Sequence, residues 1–177
     1  MAIGVSAWFD TRTEGHIRGI WKSLADSNLS RTLHEGPYRP HITLGVYETL
    51  DRPSFTTALR EAVLCTPSFH VVFAGLGVFL NNPPAAFLTV TVSEHLRQLH
   101  CLVHELLSRT GRDPIPFYLA DRWNPHCTLA PELLEQSFPK AMQLLSKLSL
   151  PFIGVVDRVS IIDTPAEVEL DVVHLAT

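Results

Sequence analysis

Two short stretches of this sequence carry the same reactive side chains in the same order. Pro40-His41-Ile42-Thr43-Leu44 recurs as Pro125-His126-Cys127-Thr128-Leu129, displaced by 85 positions in a chain of 177 residues. Four of the five positions are identical, far beyond what chance gives in a chain of this length. Successive residues of a strand point to opposite faces, so the spacing places His41, Thr43, Gly45 and Tyr47 on one face and Ile42, Leu44 and Val46 on the other. The second copy divides in the same way, with His126, Thr128 and Ala130 opposed to Cys127 and Leu129. A histidine beside a threonine joins a proton carrier that titrates near ~6.5 to a hydroxyl donor for an anionic oxygen. Two such units facing one phosphate suit in-line displacement at phosphorus. One imidazole would activate the nucleophile and the other protonate the leaving oxygen, each role being worth ~10²–10⁴-fold. Thr43 and Thr128 would hold the nonbridging oxygens.

These motifs need elements to position them. Segments of period-2 and period-3.6 apolar pattern alternate along the chain, which argues for a mixed α/β fold of the α+β type. Strands are expected at Ile3 to Phe9, His41 to Tyr47, Phe69 to Leu80, Ala86 to Val92, His126 to Ala130, Pro151 to Ile162 and Val168 to Leu175. Helices are expected from Glu14 to about Asn28 with Thr13 as N-cap, from Ser54 to Leu64, from Ser93 to about Thr110, and from Ser137 to Leu148. Asn81-Asn82-Pro83-Pro84 should reverse the chain between two strands. Shifting by 85 carries the first strand and the helix after the first motif onto their counterparts in the second half. The expected architecture is therefore a duplicated, bilobal fold whose antiparallel sheets line a central cleft with the helices outside. No linker separates the halves, and residues 1–177 read as one domain.

Composition limits the functions available. Fourteen Lys+Arg stand against 18 Asp+Glu, a formal net charge of −4, so the basic excess that would coat a long nucleic acid is missing. Three cysteines, Cys65, Cys101 and Cys127, form no C-x-x-C pair and leave an odd one over, which points to a reducing compartment. The start meets Asp10 before any long apolar run, unlike a secretory signal, and no run reaches the ~20 residues of a membrane span. A cytoplasmic protein with no membrane association is expected. Gly75-Leu76-Gly77 lacks the third glycine and the helix of a dinucleotide fingerprint, and no phosphate-binding loop or G-x-S-x-G occurs. His100 and His104 stand four apart on a helix but have no evident third ligand, so they read as structural filling, and neither a metal nor a cofactor is expected.

The two H-x-T-L motifs, their spacing and the duplicated order resemble the 2H phosphoesterase superfamily, which includes the 2′-5′ RNA ligase-like proteins and the cyclic nucleotide phosphodiesterases. RPHITL and NPHCTL carry the resemblance most specifically, the opening strand GVSAWF and the final pair of strands less so. It implies metal-independent chemistry in which His41 and His126 are the catalytic pair and Thr43 and Thr128 the phosphate ligands. The substrate would be a small nucleotide or an RNA terminus bearing a 2′,3′-cyclic phosphate, opened by hydrolysis to a 2′-phosphate, with no obligate protein partner. Ligation or cleavage of 2′-5′ linkages, or binding without turnover, are the alternatives. The plant-type members have a tryptophan in the first strand, matched by Trp8. They also have an aromatic residue shortly after the second motif, near where this chain has Pro131, so that contact is absent here or is supplied from elsewhere, as by Tyr118 or Trp123. Arg39 and Arg122 flank the motifs and could neutralise phosphate, and Tyr47 on the motif face is a further candidate contact.

Overall fold

The computed structural model describes residues 2–164, 166 and 168–176. Two runs of five elements succeed one another along the chain. The first comprises β1 (Ile3–Phe9), α1 (Thr11–Asp26), the single-turn α2 (Thr32–Glu35), β2 (His41–Leu50), α3 (Arg52–Val63) and β3 (Phe69–Phe79), α2 being extra to the pattern. The second comprises β4 (Ala85–Val90), α4 (Glu94–Thr110), an inserted β5 (Gly111–Pro114) and 3₁₀ turn Pro116–Tyr118, then β6 (His126–Ala130), α5 (Phe138–Leu145) and β7 (Phe152–Asp163). Strand β8 (Val168–His174) ends the chain's regular structure.

All strand pairs are antiparallel, and the order is β5-β2-β1-β7-β3-β4-β6, with β8 on β7. The two sheets expected from the duplication are thus one continuous eight-stranded sheet. Each run contributes its third strand to the other's half: β7 of the second run pairs with β1 of the first, and β3 of the first pairs with β4 of the second. Where the exchanged strands meet, His70 is the register partner of Val155. These two residues are themselves 85 apart, so an approximate two-fold axis of the duplication passes through that pair. Strand β7 is long enough to pair with β3 over its first residues and with β8 over its last, on the same edge.

The helices start where capping chemistry dictates. Helix α1 is capped by Asp10, whose Oδ1 accepts the Thr13 N–H at 2.8 Å, and not by Thr13 as the sequence pattern suggests. The Thr13 hydroxyl is buried and accepts the Val155 N–H at 3.1 Å, joining the first turn of the helix to the central strand pair. Ser93 caps α4 as expected, accepting from Leu96 N–H. Helix α5 ends at Leu145, the rest of the expected span to Leu148 being turns. Strand β5, which is not among the strands expected from the sequence, pairs with the end of β2. Gly111 opens it because any side chain there would collide with the Tyr47 ring at 2.5 Å.

Phe73 is fully buried at the crossing of the exchanged strands, its ring 4.5 Å from Phe152 and 5.4 Å from Phe9. Gly154 leaves space for it: a Cβ would lie 2.8 Å from that ring and 2.5 Å from Thr13. Removing the ring opens a cavity at the junction of both halves. Phe73→Ala should destabilise the fold by about 3–5 kcal/mol, read as a lower urea midpoint in equilibrium unfolding.

Candidate active site

Strand β6 ends the sheet and β2 meets β5 only from Tyr47 onward, so both motif segments have an edge without a strand partner. These segments lie beside each other. A carbonyl in such a place needs a donor, and three side chains provide it. Trp21 Nε1 donates to Thr128 O at 3.0 Å, His104 Nε2 to Leu44 O at 2.9 Å and Trp123 Nε1 to Thr43 O at 2.9 Å. Trp21 and His104 stand at equivalent places, each eleven residues beyond its helix N-cap. The first run's helix therefore clasps the second run's motif strand, and the second run's helix clasps the first's.

The motif imidazoles are held identically. His41 Nδ1 lies 2.7 Å from Arg39 O, and His126 Nδ1 lies 2.7 Å from Asn124 O. A carbonyl only accepts, so Nδ1 carries the proton in each ring and the neutral imidazole presents its lone pair at Nε2. Burial holds both histidines below the usual imidazole range, and the charge of His126 depresses His41 further. Each Nε2 is thus poised to accept a proton from a nucleophile or, once protonated, to donate one to a leaving group. Both imidazoles are half-buried, and an anion bound beside them would restore the charged form of one ring.

The remaining candidates divide between the two histidines. Beside His41, its register partner Trp8 is buried beneath two guanidinium groups, Arg39 at 5.0 Å and Arg158 at 5.9 Å from the ring. Glu14 holds these cations, with Arg158 at 3.2 Å and Arg39 at 3.5 Å. Beside His126 the walls are aromatic: Phe79 and Phe87 lie 4.9 and 5.0 Å from its ring. Gly77 admits Phe87, since a Cβ there would sit 2.2 Å from that ring. Tyr118 and Arg122 line the cavity on this side. Burial raises the pKa of the Tyr118 hydroxyl.

A likeness to known proteins accompanies this geometry. A model of the 2′-5′ RNA ligase superfamily matches residues 37–167, which include both motifs. The chain belongs to that superfamily, the 2H phosphoesterases. Solved structures share its fold at low identity: TT0787 of Thermus thermophilus is 17% identical with a TM-score of 0.64, covering 99% of this chain and 98% of its own. Apo LigT of E. coli is 13% identical with a TM-score of 0.61 over the same shares of the two chains. No curated protein matches the chain in sequence. The superfamily's mixed α/β architecture is the one described above.

Two expectations for the site need correction. Tyr47 is not on the motif face: the β1·β2 register steps from Ser6↔Thr43 to Val5↔Gly45, leaving Leu44 as an extra residue and reversing the alternation beyond it. Tyr47 is consequently buried against His104 and Gly111. Trp123 is not free to stack a substrate. Its indole lies flat on His100, centroids 3.8 Å apart, and its N–H holds the Thr43 carbonyl. The residues that sequence reading missed are Phe79 and Phe87 beside His126, Glu14 and Arg158 beside His41, and the clasping Trp21. Each fits an ordinary core or surface pattern, and only Gly77, two residues before Phe79, marked an unusually close approach.

His100 and His104 act as hydrogen-bond donors to backbone carbonyls. His100 Nε2 donates to Tyr118 O at 2.9 Å, tying the 3₁₀ turn to α4, and the described residues contain no cluster of three or more metal-ligating side chains. Burial lowers the His100 pKa to about 4. The unfolded chain therefore takes up this proton near pH 6.5 while the folded one resists to about 4, so stability falls as pH drops through that interval and levels off below it. His100→Gln keeps a donor without the titration. Its unfolding free energy should decline less steeply than the wild type's between pH 6.5 and about 4, measured by urea titration at a series of pH values.

Proposed function

We propose that this 2H phosphoesterase hydrolyses 2′,3′-cyclic phosphates of nucleotides or RNA ends, leaving a 2′-phosphate. The observation that supports it most directly is the matched Nδ1 anchoring of His41 and His126 on adjacent strands. Two equivalent imidazoles with free Nε2 atoms suit a reaction that needs one base and one acid on opposite sides of a phosphorus. With a cyclic phosphate bound, one Nε2 takes a proton from water as its oxygen forms the new P–O bond. The other gives its proton to the ribose oxygen as the old P–O bond breaks. Thr43 and Thr128 donate to the nonbridging oxygens, and Arg39 adds positive charge beside His41. The net charge of −4 favours a small substrate or a chain terminus over a long duplex. LigT, whose fold this chain shares, has been solved with 3′-AMP and with phosphate.

The depressed histidines set the pH response. Free enzyme is active with one imidazole protonated and one neutral, a state that is maximal between the two macroscopic pKa values of the pair. Both groups are shifted down by burial, so kcat/KM should peak below about pH 6.5. A bound anionic phosphate raises the pair, and kcat should peak at higher pH than kcat/KM.

The test is incubation of the purified protein with 2′,3′-cyclic AMP, CMP, GMP and UMP in EDTA, with 2′- and 3′-monophosphates separated. Turnover unaffected by EDTA, 2′-monophosphate as product, and losses of about 10²–10⁴-fold in kcat for His41→Ala and for His126→Ala are expected. Full activity in either alanine variant would overturn the two-histidine mechanism.

A further inference from the structure

The duplication makes the two histidines equivalent, yet their surroundings differ. On the His41 side the cavity is about 50 Å³, space for a few waters, with Arg39 lying over Trp8. Trp8, which matches the first-strand tryptophan of the plant-type members, is only 4% exposed. On the His126 side the cavity is about 470 Å³, within the ~300–1,000 Å³ range of small-ligand sites. Its walls are Phe79, Tyr118 and the rim residue Phe117, with Asn81 and Arg122 beside them. Phe117 is 74% exposed, an unusual position for a phenylalanine, and the 3₁₀ turn that presents it is fixed by the bond from His100 to Tyr118 O. A cavity of this size with an unstacked aromatic at its mouth and an amide within it has the chemistry of a nucleobase site.

We propose that the nucleoside of the substrate occupies the His126 side, with Phe117 as the platform for its base, and that this fixes the two histidine roles. The assignment rests on the cyclic-phosphate reading given above. In an in-line displacement the leaving ribose oxygen lies on the nucleoside's side of phosphorus and the attacking water lies opposite. His126 then protonates the ribose 3′-oxygen as the P–O3′ bond breaks, and His41 takes the proton of the water whose oxygen bonds to phosphorus. One water is consumed and one 2′-phosphomonoester is released. The two histidines end with their protonation states exchanged and reset through solvent.

Two measurements test this. Kinetics with 2′,3′-cyclic AMP and with its base-free analogue, 1,4-anhydroribitol 2,3-cyclic phosphate, should show a wild-type preference for the nucleotide in KM. Phe117→Ala should raise the KM for cyclic AMP about tenfold, the scale of one lost stacking contact, and abolish that preference. The residue is exposed, so folding should be unaffected. Sulfur in place of the 3′-oxygen gives a leaving group that needs no proton, and this substrate should restore turnover to His126→Ala but not to His41→Ala. Restoration of His41→Ala alone would place the nucleoside on the opposite side and overturn the proposal. Calorimetric binding of 2′-AMP against inorganic phosphate separates it from the reading beneath. Tighter 2′-AMP binding that depends on Phe117, without turnover of any cyclic nucleotide, would uphold the base site and remove the hydrolytic reading. Equal affinity for the two ligands in wild type and Phe117→Ala would remove the base site whatever the activity.

Discussion

Backbone carbonyls on the two motif strands must be satisfied without a neighbouring strand, and the solution is reciprocal. Trp21 of the first half reaches Thr128, and His104 and Trp123 of the second half reach Leu44 and Thr43. Each bond is individually modest, about 1 kcal/mol net, but an unpaired carbonyl in the same place would cost more than that. The consequence is geometric: neither half can position its own motif alone. The cleft is a product of exchange, and the exchanged strands β3 and β7 meet on the approximate two-fold axis at His70 and Val155.

That exchange explains why so small a protein can hold the imidazoles of its two motifs on strands that lie beside each other. A strand carries each histidine, a carbonyl two residues earlier fixes each tautomer, and a helix from the other half holds each strand. Rigid elements position acid and base groups better than loops do. The partial burial that lowers both pKa values follows from the same arrangement, because the two motif strands lie beside each other.

The halves have diverged where the chemistry does not need symmetry. Trp8 is the register partner of His41, whereas Thr89 is that of His126; Thr43 stands beside Ser6, whereas Thr128 stands beside Phe87. Arginines tied to Glu14 fill the space on one side, and a larger aromatic cavity opens on the other. The two motif histidines are held alike, while the walls beside them differ. Cys127 illustrates the converse: it points away from the histidines into the core, and burial pushes its thiol up to about 12.

Much of this was legible in the sequence because it is local or repeated. Two copies of a reactive string at a fixed offset define a pair of equivalent strands, and period-2 and period-3.6 patterns locate most of the elements. Ser93 as a cap and the hairpin around Pro83-Pro84 follow from local rules. What sequence alone did not determine depended on contacts between distant residues. A single extra residue at Leu44 turned Tyr47 into the core, and the Val155 amide claimed the buried Thr13 hydroxyl and left the cap to Asp10. Trp123 was drawn under the first motif by a carbonyl 80 residues away. Residue types and spacing determined which groups could do chemistry; the exchange of strands and helices between the halves decided which of them meet, because only tertiary packing assigns donors to carbonyls that no local partner can reach.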